Sequence, residues 1–149
     1  MRIERFEDIE AWKEARKLVN TIYDISDKEE FSRDFGLKNQ IRNASVSVMS
    51  NISEGFDRGT NKEFIQFLTI ARASTSEVKS HLYVALDRKY INPDKFREVY
   101  DQTSKAISLI DGFIRYLRAN VKHKTQQPRT QNLELEKGEH GPTSKRIQR

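Results

Sequence analysis

Residues 40–77 read QIRNASVSVMSNISEGFDRGTNKEFIQFLTIARASTSE, and this stretch decides the fold. Apolar residues recur in it at alternating three- and four-residue steps, which is the spacing of helices that bury one face against each other. The pattern stops at Gly55–Gly59 and resumes after Thr60, which precedes Glu63 by three residues, as in a capping box. The stretch therefore predicts two consecutive helices joined by a tight turn.

The apolar spacing extends beyond this stretch in both directions. We predict a first helix from about Glu7 to Ile25, a second after the N-cap Asp34, a third from Thr60 to about Arg88, and a fourth from the pair Asn92 and Pro93. The acidic segment Ser26–Asp34 is predicted to be a connection. The buried positions of the second helix are predicted to be Leu37, Ile41, Ala44, Val48, Asn51 and Gly55, and those of the third Phe64, Leu68, Ala71, Thr75, Val78, Leu82 and Ala85.

Four helices, no strand and short turns predict an all-α fold, an antiparallel up-and-down four-helix bundle in residues 1–122. Residues 123–149 have no usable period and few apolar residues, so we predict a disordered basic tail. A chain of 149 residues and 17.5 kDa has the size of one domain.

The fourth helix carries two apolar stripes. The first consists of Phe96, Tyr100, Thr103, Ile107, Ile110, Ile114, Leu117 and Val121, and the second of Val99, Ala106, Leu109, Phe113 and Tyr116. Two interpretations are open, a broad core face or an additional surface that contacts another subunit. On the second interpretation we expect a homo-oligomer whose interface includes Val99, Leu109, Phe113 and Tyr116.

The absence of cysteine removes disulfides, thiolate nucleophiles and Cys-ligated zinc from consideration. No run of 18 apolar residues occurs and the first eight residues are charged, so we expect a cytoplasmic protein without a membrane span.

The formal net charge is +5, of which residues 123–149 contribute +3. Within residues 1–122 the basic excess lies after residue 34, on the predicted middle helices. These cations either serve ordinary solubility or contact RNA or DNA phosphates. The candidates for nucleic-acid binding are Lys38, Arg42, Arg58, Lys62, Lys79, Arg88 and Lys89.

Four polar residues at or beside buried helix positions form a candidate network: Asn51, Glu54, Arg72 and Glu77. A partly buried carboxylate at Glu54 needs a cation, and Arg72 or Arg42 is the expected partner. A structural network that fixes helix register is favoured over a ligand site.

Catalytic and metal patterns are weak. No Glu is followed by His three residues later, as a di-iron bundle requires, and Glu98 and Asp101 point away from the predicted seam. We therefore expect no metal, no cofactor and no catalytic residue. Arg118 and His123 have the Arg-x4-His spacing that resembles the motif of HEPN ribonucleases, which leaves a metal-independent ribonuclease as the enzymatic alternative.

The stretch at 40–77, with FEDIEAWKEARKL before it and HLYVALDRKYI after it, resembles the four-helix bundle proteins encoded in intervening sequences of 23S ribosomal RNA genes. The most specific parts are Gln40, Arg42, the NISEG of residues 51–55 and the FIQFL of residues 64–68. This chain has Ser53 where the family usually has Ala, and Ala73 where it usually has Gly; neither difference affects the fold assignment.

The resemblance implies a cytoplasmic bacterial protein and a ring-shaped homopentamer. A related branch, the accessory variability proteins of diversity-generating retroelements, works with a reverse transcriptase and nucleic acid. We expect a non-enzymatic oligomer that binds RNA or DNA, or a protein that processes them, through basic surfaces. A purely structural scaffold for a partner protein is the third possibility.

Overall fold

A computed structural model describes residues 3–124, and the side chains of residues 3–120. Every regular element in this range is helical, beginning with a short 3₁₀ helix at Phe6–Asp8. Five α-helices follow: α1 (Glu10–Ser26), α2 (Glu29–Arg33), α3 (Phe35–Asp57), α4 (Asn61–Asp87) and α5 (Pro93–Lys124). The all-α prediction is confirmed for the described range. The first two residues of the predicted tail, 123 and 124, belong to α5. Residues 125–149 lie outside the described residues.

The predicted starts of the second, third and fourth helices are confirmed by their caps. The side chains of Asp34, Thr60 and Asn92 each accept a hydrogen bond from the backbone N–H three residues later, at 3.1, 3.2 and 2.7 Å. These bonds satisfy amides that have no partner inside the helix. The starts of α3, α4 and α5 therefore follow from local sequence.

Two predictions about the first 34 residues were wrong. The first helix begins at Glu10, because Phe6–Asp8 forms a 3₁₀ turn and Ile9 has extended backbone angles. The acidic connection contains the short helix α2, whose Phe31 is fully buried. The centre of the Phe31 ring lies 5.4 Å from the centre of the Tyr90 ring. This one apolar residue therefore holds an otherwise polar segment against the core.

The four long helices pack so that each contacts two others. Helix α1 packs against α3 and α5, and α4 also packs against α3 and α5. All seven positions predicted to be buried in α4 are buried, which confirms its spacing. In α3, Ile52 enters the core in place of Asn51, which is half-buried.

The buried face of α5 lies between the two stripes seen in the sequence. It consists of Val99, Thr103, Ala106, Ile110, Ile114 and Leu117. The interface prediction was wrong for Val99, because a side chain that is 0% exposed in a single chain has no surface left for another subunit. Leu109 and Phe113 are half-buried and Tyr116 is 57% exposed, so the second stripe is only partly covered within the chain.

Helices α3 and α4 lie in close contact at Gly55. A Cβ atom at this position would lie 2.6 Å from Cδ2 of Phe64 and 2.7 Å from Cβ of Phe67, so no other residue fits without a shift. The turn that follows passes through Gly59, whose φ of +82° is unfavourable for residues with a side chain. Both glycines therefore favour the turn that folds α4 back onto α3.

A side-chain hydrogen bond joins the α4–α5 turn to the start of α3. The hydroxyl of Tyr90 donates to Oδ2 of Asp34 at 3.0 Å, while Oδ1 of the same carboxylate caps α3. The hydrogen bond to the negatively charged Asp34 raises the pKa of Tyr90 above its ordinary value of 10.0.

Replacing Gly55 with Ala should destabilise the protein. The added methyl group forces the helices apart, and overpacking of this kind costs about 1–3 kcal/mol, although Ala has the higher helix propensity. The control is Gly36→Ala in the same helix, where the nearest atom would lie 3.7 Å away. Chemical denaturation measures both variants, and equal stability of the two would contradict the close contact at Gly55.

Stability should fall at alkaline pH as Tyr90 ionises. Because its pKa is higher in the folded state than in the unfolded state, the bond to Asp34 stabilises the protein below the unfolded pKa and is lost as pH rises through the folded pKa. Tyr90→Phe should lower the unfolding temperature at neutral pH and reduce the alkaline loss, whereas Tyr83→Phe should leave that loss in place. Identical alkaline profiles for wild type and Tyr90→Phe would disprove this role.

Candidate nucleic-acid interface

Asn51 links α3 to α4 through two serines. Its Nδ2 donates to the carbonyl oxygen of Ser47 at 2.8 Å and to Oγ of Ser47 at 2.9 Å. Oγ of Ser47 lies 2.9 Å from Oγ of Ser74 on α4. Asn51 therefore helps to fix helix register, but through serine hydroxyls that the predicted network did not include.

The structure does not join the four residues of the predicted network. Glu54 pairs with Arg58 one turn later at 2.9 Å, and its side chain is 53% exposed, so it is not a buried carboxylate in need of Arg72 or Arg42. Arg72 instead donates from Nε to Oδ1 of Asp111 on α5 at 2.6 Å. Glu77 lies 3.3 Å from Nε2 of His81 on its own helix. Four separate contacts replace the expected cluster.

Arg42 secures the C-terminal end of α1. Its Nε donates to Oγ of Ser26 at 2.8 Å, and its Nη2 donates to the carbonyl oxygen of Tyr23 at 3.3 Å. The guanidinium carbon lies 4.3 Å from the centre of the Tyr23 ring. A cation at this point donates to a carbonyl of the last helical turn and opposes the negative end of the helix dipole. These contacts direct Arg42 towards the protein, so it is poorly placed to contact a ligand.

The other candidate cations fall into two groups. Lys38 lies 4.0 Å from Oδ1 of Asp27 and is mostly buried, and Arg58 is paired with Glu54. In the side chains that the structure describes, no carboxylate oxygen lies within 4.0 Å of the remaining four cations. These are Lys62, Lys79, Arg88 and Lys89.

Two stripes of residues at seven-residue spacing line the groove between α4 and α5. Seven residues are close to two helical turns, so such residues share one side of a helix. The α4 stripe contains Arg72 and Lys79, and the α5 stripe contains Arg97, Ser104, Asp111 and Arg118. The Arg72 to Asp111 hydrogen bond shows that the two stripes face each other. We call this surface, with Tyr83 and Tyr100 between the stripes, the α4–α5 face.

The α4–α5 face is predominantly basic. Arg97 and Arg118 are exposed, and neither has a carboxylate within 4.0 Å among the described side chains. Asp111 is the acidic member of the two stripes, and Arg72 already neutralises it. Over the 21 residues from Arg97 to Arg118, α5 extends about 32 Å at 1.5 Å per residue.

Sequence reasoning missed most of this surface. It selected Lys79 as a nucleic-acid contact but considered Arg118 only as a catalytic residue, and it did not select Arg97. The seven-residue repeats of Arg72 with Lys79 and of Arg97 with Arg118 were visible in the sequence. That the two repeats face each other depends on how α4 and α5 are rotated, which only the packed structure gives.

Comparison with known proteins gives the family. Residues 7–112 match the family model described as 23S rRNA-intervening sequence protein. The chain belongs to this family. It is also similar to the crystal structure, at 1.70 Å resolution, of a protein of unknown function from the S23 ribosomal protein family of Bacteroides thetaiotaomicron VPI-5482.

The TM-score to that structure is 0.64 at 20% sequence identity, over 70% of this chain and 97% of the other. At this identity the likeness shows the fold alone. No curated protein matches the chain.

This member of the 23S rRNA-intervening sequence family has an open cleft of about 610 Å³ beside the α3–α4 turn. Its walls are Ile3, Gly55, Phe56, Gly59, Thr60, Asn61, Phe64, Phe113, Tyr116 and Leu117. Among the described side chains, this lining contains no carboxylate, lysine, arginine or histidine. A smaller apolar cleft of about 340 Å³ shares Ile3, Phe113 and Tyr116 with it.

The described part of the chain adds no support for the metal site or for the enzymatic alternative considered from the sequence. No group of three or more His, Asp or Glu residues there is arranged to hold a metal ion. Arg118 is exposed on α5, and the side chain of His123 lies outside the described side chains. No helix between residues 3 and 124 is long and apolar enough to cross a membrane.

Proposed function

We propose that this chain is a non-enzymatic, oligomeric helical protein that binds RNA or DNA, or a protein that processes them, through the α4–α5 face. The observation that carries the proposal is the concentration of cations on that face, of which Arg97 and Arg118 are exposed and Lys79 is half-buried. Lys79, Arg97 and Arg118 lie along one groove without carboxylate partners among the described side chains. A line of cations over about 32 Å matches the phosphate backbone of a nucleic acid.

Binding of this kind is electrostatic and depends little on base sequence. Each Lys or Arg that contacts a phosphate releases counterions, so affinity falls steeply as the salt concentration rises. The names of the matched family and of the similar structure refer to ribosomal RNA genes and ribosomal proteins, which agrees with a nucleic-acid partner. A bacterial, cytoplasmic setting belongs to the same proposal.

The arrangement proposed for the four long helices is an antiparallel up-and-down bundle. Contacts between α4 and α5 support it, because the residue numbers rise on one helix as they fall on the other. Phe64 is paired with Phe113, Lys79 with Tyr100, and Tyr83 with Phe96. In this arrangement α1 is diagonal to α4, which leaves the α4–α5 face open on the side away from α1.

The proposed subunit contact is the uncovered apolar side of α5. Leu109, Phe113 and Tyr116 line the smaller cleft together with Ile3 and Ala11. Exposed contiguous apolar surface of this kind marks sites of association. Five subunits are expected from the family resemblance.

Two other functions make different predictions. A HEPN-like ribonuclease would cleave RNA and lose that activity in His123→Ala. A scaffold for a partner protein, including a reverse transcriptase of the retroelement branch, would show no affinity for nucleic acid at low salt.

Neutralising the α4–α5 face should reduce both affinity and its salt dependence. In the triple variant Lys79→Gln, Arg97→Gln, Arg118→Gln, the slope of log affinity against log salt should become shallower by about 2 for a single strand. The control removes charge from exposed cations on α1, Lys13→Gln with Lys17→Gln, and should keep the wild-type slope. Fluorescence anisotropy with labelled RNA measures both, and an unchanged slope in the triple variant would place binding elsewhere.

Tyr116→Glu should dissociate the oligomer. A charge in the centre of an apolar contact loses its hydration on association, which disfavours assembly. Light scattering at micromolar concentration should give about five times the chain mass of 17.5 kDa for wild type and for Tyr116→Phe, and the single-chain mass for Tyr116→Glu. A monomeric wild type would refute the oligomer, and an oligomeric Tyr116→Glu would refute this surface.

A further inference from the structure

Three aromatic rings meet at one end of the α4–α5 face. The Tyr83 ring lies 4.9 Å from the Phe96 ring and 6.0 Å from the Tyr100 ring, and the latter two are 5.5 Å apart. Phe96 and Tyr100 pack against the buried core, whereas Tyr83 is 50% exposed. Two rings fixed by the core therefore hold the third in a defined orientation at the surface.

One cation contacts this aromatic cluster, and a second lies next to it in the sequence. Nζ of Lys79 lies 4.4 Å from the centre of the Tyr100 ring, one helical turn before Tyr83. Arg97 follows Phe96 directly and is exposed. An exposed ring beside cations on a groove is the combination that holds single-stranded nucleic acid, because the ring stacks on a base while the cations contact the adjoining phosphates.

We propose that the ligand of the α4–α5 face is single-stranded RNA or DNA, with one base stacked on Tyr83 and neighbouring phosphates at Lys79 and Arg97. This inference rests on the proposed nucleic-acid binding and names the class of nucleic acid. A duplex keeps the faces of its bases stacked inside the helix, so it offers phosphates to the cations but no free base to Tyr83. The cluster therefore selects unpaired strands.

The experiment compares three labelled probes on the full-length protein at low salt: a single strand, the same strand with abasic sites, and the matching duplex. The intact strand should bind roughly 5- to 140-fold more tightly than the abasic strand, which is the range expected for one stacked base. The intact strand should also bind more tightly than the duplex. These comparisons use wild-type protein, so they do not depend on the folding of any variant.

Variants of Tyr83 then locate the stacked base. Tyr83→Leu should remove the preference for the intact strand over the abasic strand, and Tyr83→Phe, which keeps the ring, should retain it. Thermal unfolding shows whether each variant remains folded.

The outcomes separate this inference from the proposed function. No binding of any probe would overturn both the inference and the proposal that the α4–α5 face binds nucleic acid. Equal binding of all three probes, or a preference that survives in Tyr83→Leu, would overturn the inference and leave electrostatic binding intact. A lower oligomer mass for Tyr83→Leu with unchanged strand affinity would make the cluster a subunit contact and would also overturn the inference.

Discussion

The close approach of α3 and α4 at Gly55 is the contact on which the rest of the structure depends. Because the Phe64 ring and Cβ of Phe67 occupy the space where a Cβ of residue 55 would lie, the two helices come together at the turn that joins them. Further along, the hydroxyls of Ser47 and Ser74 meet across the same interface. This pair of helices fixes the rotation of α4, and the rotation of α4 decides which of its residues face α5. We infer that the position of the basic groove depends on the packing of α4 at Gly55.

Much of the fold could be predicted from the sequence, because helix spacing and caps are local properties. The heptad pattern of α4 gave its buried face correctly from Phe64 to Ala85, and Asp34, Thr60 and Asn92 marked three helix starts. The partners of charged side chains could not be predicted in the same way. A long charged side chain can reach several possible partners, and the sequence does not show which one it contacts. Glu54, for example, pairs with Arg58 on its own helix rather than with a distant arginine.

The cations discussed above fall into two groups according to the residues that surround them. Arg42 and Lys38 lie against the end of α1, where they serve the stability of the helix, although their residue types and positions had suggested nucleic-acid binding. Lys79, Arg97 and Arg118 lie on a groove with aromatic rings and few carboxylates. From the sequence alone the two groups cannot be distinguished, because both consist of basic residues on predicted helices. Only their surroundings separate a structural cation from one that is free to meet a phosphate.

The central claim is that nucleic acid contacts the α4–α5 face, and photo-crosslinking tests it most directly. A thiouridine-labelled single strand, bound at low salt and irradiated, should attach to peptides of α4 around Lys79 and Tyr83 and to peptides of α5 from Arg97 to Arg118. Attachment should decline as salt is added, because the contact is electrostatic. Crosslinks confined to α1 or α2, or none on α4 and α5, would contradict the account.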